Sequence, residues 1–162
     1  MMAPVRDDVS MDYDAFISYS HAADGQLARE LQSGLQRLAK PWFRRPIIKI
    51  FRDETSLSAT PGLWSEIERN LARSRHFVLL ASAASARSPW VEREVSWWIA
   101  HRPRETLFIA VTDGTLAWKP DAADFDWSST TCLPATLKGW FTEEPLYVDR
   151  SGDCGWCRAR GG

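Results

Sequence analysis

The alternation of short apolar runs with helical stripes constrains the fold of this chain more than any other feature. The run from Tyr13 to Tyr19 contains consecutive apolar residues, which is typical of a strand buried on both faces. Leucines at positions 27, 31, 35 and 38 then form one apolar stripe on a predicted helix that Pro41 ends. Strands are likewise predicted over 47–51, 76–81, 106–111 and 145–148, and helices from the Thr60-Pro61 cap, from Ser88-Pro89 to about 101, and over 133–141.

This order predicts an α/β domain with a five-stranded parallel sheet and helices on both faces, because parallel neighbours need long crossovers. Ligands of such sheets bind beyond the carboxyl ends of the strands. The loops at that edge begin at Ser18, Arg52, Ser82 and Thr112. The pattern ends after Asp149, so the usual last helix is expected to be missing, either because the domain is clipped or because a partner covers that face. We therefore expect a flexible N-terminus (1–11), one domain (12–149) and a flexible tail (150–162).

The overall composition excludes several classes of partner. The chain has 162 residues, which suits one domain, and a net charge of −1, so bulk charge attracts neither nucleic acid nor an anionic membrane. No apolar stretch is long enough to span a bilayer, and the segment from Met1 to Asp12 lacks the apolar block of an export signal. These observations predict a cytoplasmic protein without membrane or nucleic-acid partners.

The cysteines do not predict a metal site or a disulfide framework. The chain has three of them, and Cys154 and Cys157 form a Cys-x-x-Cys pair. A structural zinc site needs four ligands, and Cys132 leaves the set one short. A redox pair needs a strand before it and a helix after it, whereas the flanking residues here are typical of a loose tail. We therefore expect free thiols and no metal.

The helix predicted from Ser88-Pro89 carries the main candidate for chemistry. On a helical wheel, the core stripe contains Val91, Val95, Trp98 and Ile99, the solvent side contains Glu92, Arg93 and Ser96, and a strip at the core margin contains Trp90, Glu94, Trp97 and His101. A carboxylate such as Glu94, placed between aromatic rings at the margin, is partly desolvated and rigidly held, as suits a catalytic group. Helix position alone favours the alternative, a semi-exposed glutamate paired with an arginine.

Four motifs resemble those of Toll/interleukin-1 receptor (TIR) domains. Tyr13-Asp14-Ala15-Phe16-Ile17-Ser18-Tyr19-Ser20 looks like the first-strand signature, and Phe51-Arg52-Asp53 leading into Thr60-Pro61-Gly62 resembles the mobile loop after the second strand. Arg75-His76-Phe77-Val78-Leu79-Leu80-Ala81-Ser82 resembles the third strand. Ser88-Pro89-Trp90-Val91-Glu92-Arg93-Glu94 is similar to the Trp-x-x-x-Glu motif of the TIR enzymes. The resemblance covers roughly residues 12 to 149. The sequence is most similar to bacterial TIR modules that stand at the N-terminal end of larger multidomain proteins.

The resemblance implies a flavodoxin-like sheet and an enzyme that hydrolyses or cyclises NAD+ with loss of nicotinamide. NAD+ is then the substrate, and no cofactor is needed. The catalytic glutamate of the family falls on Glu94, and its tryptophan falls on Trp90. The resemblance also implies activation by assembly with other TIR domains, in bacterial immune-type signalling. The alternative is a non-catalytic module that recruits other TIR domains through the Arg52–Gly62 loop.

The resemblance places further candidates at the same edge of the sheet. Ser18, Tyr19 and Ser20 lie where the family lines its pocket, although Ser20-His21 departs from the arginines of some members. Ser20 is equally a candidate cap for the next helix. Tyr19 and Trp90 are candidates to hold a flat ring. Substrate contacts are also expected from Phe51 and Arg52, and gating or docking from Asp53, Leu57 and Gly62, against the alternative of a local ion pair or turn. His101 either tunes Glu94 or suits the end of its helix.

Overall fold

The computed structural model describes residues 11–38, 50–52 and 62–150. Its three α-helices are α1 (His21–Leu38), α2 (Leu63–Ala72) and α3 (Pro89–His101). Its strands are β1 (Tyr13–Ser18), β2 (Ile50–Arg52), β3 (Ser74–Ala81), β4 (Leu107–Val111), β5 (Trp118–Lys119), β6 (Asp124–Phe125) and β7 (Tyr147–Asp149). Short 3-10 turns occupy Ser85–Arg87, Arg104–Thr106, Pro120–Ala122 and Ala135–Leu137.

The main sheet is parallel, with the strand order β2-β1-β3-β4-β7. The first strand lies in the middle, so that Ile17 pairs with Arg52 of β2 on one side and with Val78 of β3 on the other. The predicted α/β class and the flavodoxin-like order are confirmed. Strands β5 and β6 form a separate antiparallel pair that the sequence did not predict, because each strand is only two residues long.

Residues of β1 point alternately to two cores. Phe16 packs with Phe77, Leu79 and Trp98 on the face covered by α2 and α3. The next residue, Ile17, packs on the opposite face with a smaller set. That set comprises Ile17, Tyr19, Ala28 and Leu80, with Leu27 and Leu31 of α1 packed against it. Helix α1 therefore covers the face of the sheet opposite α2 and α3.

Two local predictions are wrong. The segment 133–141 is not a helix, since it contains only the 3-10 turn Ala135–Leu137. Its apolar residues have helical spacing, but Gly139 takes a left-handed φ of 70°, which interrupts any helix there. Likewise, α2 begins at Leu63 with Gly62 as its N-cap at φ 97°, so the Thr60-Pro61 pair does not cap it.

The other boundaries differ by a few residues. Strand β3 begins earlier than predicted, at Ser74, and the last strand is shifted to Tyr147–Asp149. The backbone N–H of Arg150 still donates to the Val111 carbonyl, so ordered structure extends one residue into the predicted tail. The rest of that tail and residues 1–10 lie outside the described residues. The absence of a last helix after β7 therefore stays a prediction. Within the described ranges, no helix is both long enough and apolar enough to cross a membrane.

Candidate active site

Glu94 of α3 meets Ser18 at the carboxyl end of β1. The Ser18 Oγ donates a hydrogen bond of 2.5 Å to the Glu94 Oε2. Ser18 is fully buried, and Glu94 is only 2% exposed. The sequence predicted a partly desolvated glutamate at the core margin, and the structure places it deeper. A helical wheel considers one helix alone and leaves out neighbours from other elements, such as Ser18 of β1.

Local sequence explains why α3 presents Glu94 in this place. Ser88 is the N-cap, and its Oγ accepts a hydrogen bond of 3.4 Å from the Val91 N–H, while Pro89 occupies the first turn. Val91, Val95 and Trp98 are buried as predicted and fix the rotation of the helix. A helix held in this way keeps its carboxylate in one orientation, which catalysis requires.

The aromatic neighbours of Glu94 on α3 differ in exposure. Trp90, one turn before Glu94, is 43% exposed and offers a ring at the surface. Trp97 is half-buried and stacks with His101, with ring centroids 4.4 Å apart. The Nδ1 of His101 also lies 2.7 Å from the Trp97 carbonyl oxygen. These contacts of His101 are with its own helix, which agrees with a role at the helix end rather than at Glu94.

Ser18, the last residue of β1, and the two residues after it lie in different surroundings. Ser18 faces α3 and Glu94, whereas Tyr19 is buried, 6% exposed, in the core beneath α1. Alternation along a strand requires this difference, and it disfavours the prediction that Tyr19 holds a flat ring at the surface. Ser20 directly precedes α1, and its carbonyl accepts hydrogen bonds from the backbone N–H groups of Ala23 and Asp24. Its position suits the predicted cap.

The remaining candidates lie on β2 and the loop after it. Phe51 pairs with Phe16, and Arg52 with Ile17, so the backbone of Arg52 lies at the same sheet edge as Ser18. Asp53 and Leu57 lie outside the described residues. Gly62 ends this loop, and its positive φ is a conformation that other residues rarely adopt. Gly62 is therefore needed for the start of α2, whatever its part in assembly.

The sequence did not predict a second buried carboxylate, Asp24. Its Oδ2 accepts a hydrogen bond of 2.8 Å from the Ser82 Oγ, and its Oδ1 accepts one of 2.8 Å from the Thr112 Oγ1. Asp24 is 5% exposed and lies in the first turn of α1. The available signal was that Ser82 and Thr112 directly follow β3 and β4. No local pattern connects either residue with Asp24, because they are 58 and 88 residues away.

Among the three cysteines, Cys132 lies within the described residues and is a buried free thiol. Burial raises the pKa of the Cys132 thiol to about 11, so this thiol is neutral at physiological pH. Its Sγ donates to the Thr115 carbonyl at 3.3 Å. Over the residues that the structure describes, no three His, Cys, Asp or Glu side chains converge as a metal site would need. Cys154 and Cys157 lie outside that part of the chain.

A model of the TIR domain family matches residues 15–135 of this chain. The chain belongs to the TIR domain family. The matched segment includes Ser18, Trp90 and Glu94, and the predicted membership of the TIR family is thereby confirmed. In this TIR domain, Ser18 lies at the carboxyl edge of the parallel sheet, beside Glu94.

Two relatives and one solved structure are similar to this TIR domain. The NAD(+) hydrolase ApTIR of Actinoplanes sp. is 47% identical over 149 residues, which is 92% of this chain and 20% of that protein. The NAD(+) hydrolase TcpA of a Theionarchaea archaeon is 28% identical over 93 residues, 57% of this chain and 26% of that protein. The chain thus spans about a fifth of the first relative and about a quarter of the second.

The solved structure is that of the activated Roq1 resistosome directly recognizing the pathogen effector XopQ, in its TIR domains. The likeness has a TM-score of 0.50 and 21% identity over 64% of this chain and 60% of that one. It supports the TIR fold.

Proposed function

We propose that this TIR domain cleaves the nicotinamide–ribose bond of NAD+, with Glu94 as the catalytic carboxylate. The observation that carries the proposal is the buried Glu94, oriented by the Ser18 hydroxyl at the ligand-binding edge of the sheet. The two relatives named as NAD(+) hydrolases support the choice of substrate. NAD+ is the substrate in this proposal, and the reaction needs no further cofactor and no metal.

The proposed chemistry suits one well-placed carboxylate. When the bond between the ribose C1 and the nicotinamide nitrogen breaks, its electron pair stays on nitrogen and nicotinamide leaves as a neutral ring. Positive charge then develops on the ribose, and the Glu94 carboxylate stabilises it. Water adds at C1 and loses a proton to give ADP-ribose, or a nitrogen of the adenine ring adds to give a cyclic isomer.

We assign the supporting roles as follows. Trp90 holds a flat ring of the substrate, as its exposed face allows. Ser18 orients Glu94, and Ser20, Phe51 and Arg52 contact the substrate from the ends of β1 and β2. Tyr19 supports this edge from the core beneath α1. We also propose that the domain spans residues 12–149 and that the protein acts in the cytoplasm.

Activation by self-assembly fits the burial of Glu94. A carboxylate that is 2% exposed cannot contact a dinucleotide until some covering residues move. We propose that a second TIR domain binds the Arg52–Gly62 loop through Asp53, Leu57 and Gly62 and opens the site, in bacterial immune-type signalling. The alternative function is a TIR–TIR scaffold in which Glu94 stays covered and never meets a substrate.

Nicotinamide release decides between the two functions. Wild type and Glu94→Ala are compared with Glu92→Ala, an exposed glutamate on the same helix, each dilute and artificially clustered, with assembly followed by light scattering. Clustered wild type and Glu92→Ala are expected to release nicotinamide, and Glu94→Ala about 100-fold less. Equal release by Glu94→Ala would refute the site. Intact NAD+ in assembled wild type would refute the enzyme and favour the scaffold.

A further inference from the structure

The buried Asp24 joins three separate parts of the sheet edge. One carboxylate oxygen accepts a hydrogen bond from Ser82, which follows β3, and the other accepts one from Thr112, which follows β4. Both distances are 2.8 Å. Charge-assisted hydrogen bonds of this length, one to the buried Ser82 and one to the half-buried Thr112, fix the position of the first turn of α1 relative to both strands.

From Ser82, hydrogen bonds continue to the start of α3. Ser82 and Ser85 bond reciprocally, with the Ser82 N–H donating to the Ser85 Oγ at 2.8 Å and the Ser85 N–H to the Ser82 Oγ at 3.1 Å. The Ser88 N–H then donates to the Ser85 carbonyl at 3.1 Å, and Ser88 caps α3. The point at which α3 begins, and hence the position of Glu94, is thereby linked to Asp24.

On its other side, Asp24 is linked to Ser18. The Asp24 N–H donates to the Ser20 carbonyl at 2.8 Å, and Ser20 lies two residues after Ser18, the last residue of β1. Ser18 in turn donates to Glu94. Hydrogen bonds and short backbone segments therefore connect Ser18 to Asp24, Asp24 to Ser82, and Ser82 to the cap of α3. Helix α3 carries Glu94, which accepts a hydrogen bond from Ser18.

We infer that Asp24 is a positioning residue that holds α3 and the end of β1 in the relative placement required by the Ser18–Glu94 hydrogen bond. The inference rests on the proposed NAD+ cleavage, since it gives Asp24 a role in the geometry of that site. Ser18 and Glu94 belong to different elements, so a small shift of either element reorients the carboxylate. Misplacement of catalytic groups by about 1 Å costs up to about 100-fold in rate.

The experiment measures kcat and KM of the clustered protein for Asp24→Ala and Asp24→Asn, well below the melting temperature of each variant. The control is Ser74→Ala, which removes a buried hydroxyl at the opposite end of β3, where it donates to the Asn70 carbonyl. Asp24→Ala is expected to lower kcat about tenfold or more with KM nearly unchanged, and Ser74→Ala less than about twofold. Asp24→Asn is expected to restore most of kcat, because the amide accepts from Ser82 and donates to Thr112, whose hydroxyl can turn to the Ala81 carbonyl, 3.2 Å away.

A readout independent of turnover separates this inference from the proposed function. The 13C signal of the Glu94 carboxyl carbon, assigned by its loss in Glu94→Ala, is expected to move in Asp24→Ala and to stay in Ser74→Ala. If wild type does not cleave NAD+, the proposed function fails, while a shifted signal still supports positioning.

A kcat retained within about twofold in folded Asp24→Ala, together with an unmoved Glu94 signal, would overturn the inference. So would an equal effect of Ser74→Ala. If Asp24→Ala does not fold, both measurements are made instead on Ser82→Ala and Thr112→Val. Each of these variants removes one hydrogen-bond donor to Asp24. They are expected to cause smaller losses of kcat in the same direction, and their failure to do so would equally overturn the inference.

Discussion

Glu94 and Asp24 are both buried carboxylates at the carboxyl edge of one sheet, but they reach that edge from opposite faces. Glu94 belongs to α3 and accepts from Ser18 at the end of β1. Asp24 belongs to α1 and accepts from Ser82 and Thr112, at the ends of β3 and β4. Glu94 therefore connects α3 to the end of β1 on one face of the sheet. Asp24 connects α1 to the ends of β3 and β4 on the other face.

The surroundings separate the two groups. Asp24 has both oxygens bonded to hydroxyls of the structural frame, whereas Glu94 follows an exposed tryptophan, Trp90, by one helical turn. Burial alone does not identify a catalytic group. A buried carboxylate beside an accessible aromatic ring suits chemistry, and one that ties together three elements suits positioning.

The largest expected effect tests whether the core, rather than Glu94, fixes α3. Trp98 is fully buried, its ring lies 5.2 Å from that of Phe77, and its Nε1 donates to the Thr106 Oγ1. Trp98→Ala is expected to lower the free energy of unfolding by about 3–5 kcal/mol, measured by urea denaturation. The control Trp90→Ala, on the same helix and 43% exposed, is expected to lose less than about 1 kcal/mol but to slow NAD+ cleavage. Equal destabilisation by the two variants would contradict this account.

A medium effect tests whether Asp24 is part of the structural frame. Asp24→Ala deprives the buried Ser82 hydroxyl and the half-buried Thr112 hydroxyl of their charged acceptor, so we expect the free energy of unfolding to fall by about 2 kcal/mol. Asp121→Ala, which changes an exposed aspartate in a 3-10 turn, is expected to stay within about 0.5 kcal/mol of wild type. Urea denaturation of both variants gives the comparison. No loss in Asp24→Ala would show that the frame does not depend on this carboxylate.

The smallest effect concerns the cap between Ser82 and Glu94. Ser88→Ala removes the Oγ that accepts from the Val91 N–H and is expected to cost about 1 kcal/mol. Ser96→Ala, on the solvent side of the same helix, removes a hydroxyl that donates to the Glu92 carbonyl and is expected to be nearly neutral. Thermal unfolding of the two variants measures the difference. A larger loss in Ser96→Ala would contradict the assignment of Ser88 as the cap.

Local patterns in the sequence predicted most of the frame. The apolar runs predicted the strands, and Ser88-Pro89 predicted the start of α3. The same alternation that buries Phe16 and Ile17 on opposite faces also directs Ser18 to α3 and Tyr19 to α1. Applied one step further, it predicts that Tyr19 faces α1, as the structure shows.

Contacts between distant segments could not be predicted in this way. Glu94 accepts a hydrogen bond from Ser18, 76 residues earlier in the chain, and Asp24 is bonded to residues 58 and 88 positions away. The segment 133–141 has helical apolar spacing, but its residues fill the core from an irregular path around Gly139. Contacts between residues that are distant in the sequence determine these features. A single sequence does not show which distant residues come into contact.

The same chemical change at the two carboxylates tests the central claim most directly. Glu94→Gln and Asp24→Asn each replace a carboxylate by an amide of nearly the same shape, so packing changes little in either variant. The rate of nicotinamide release is measured on clustered protein, with assembly matched by light scattering. The account predicts a rate about 100-fold lower for Glu94→Gln and within about threefold of wild type for Asp24→Asn. Wild-type rates in Glu94→Gln, or equal losses in both variants, would contradict it.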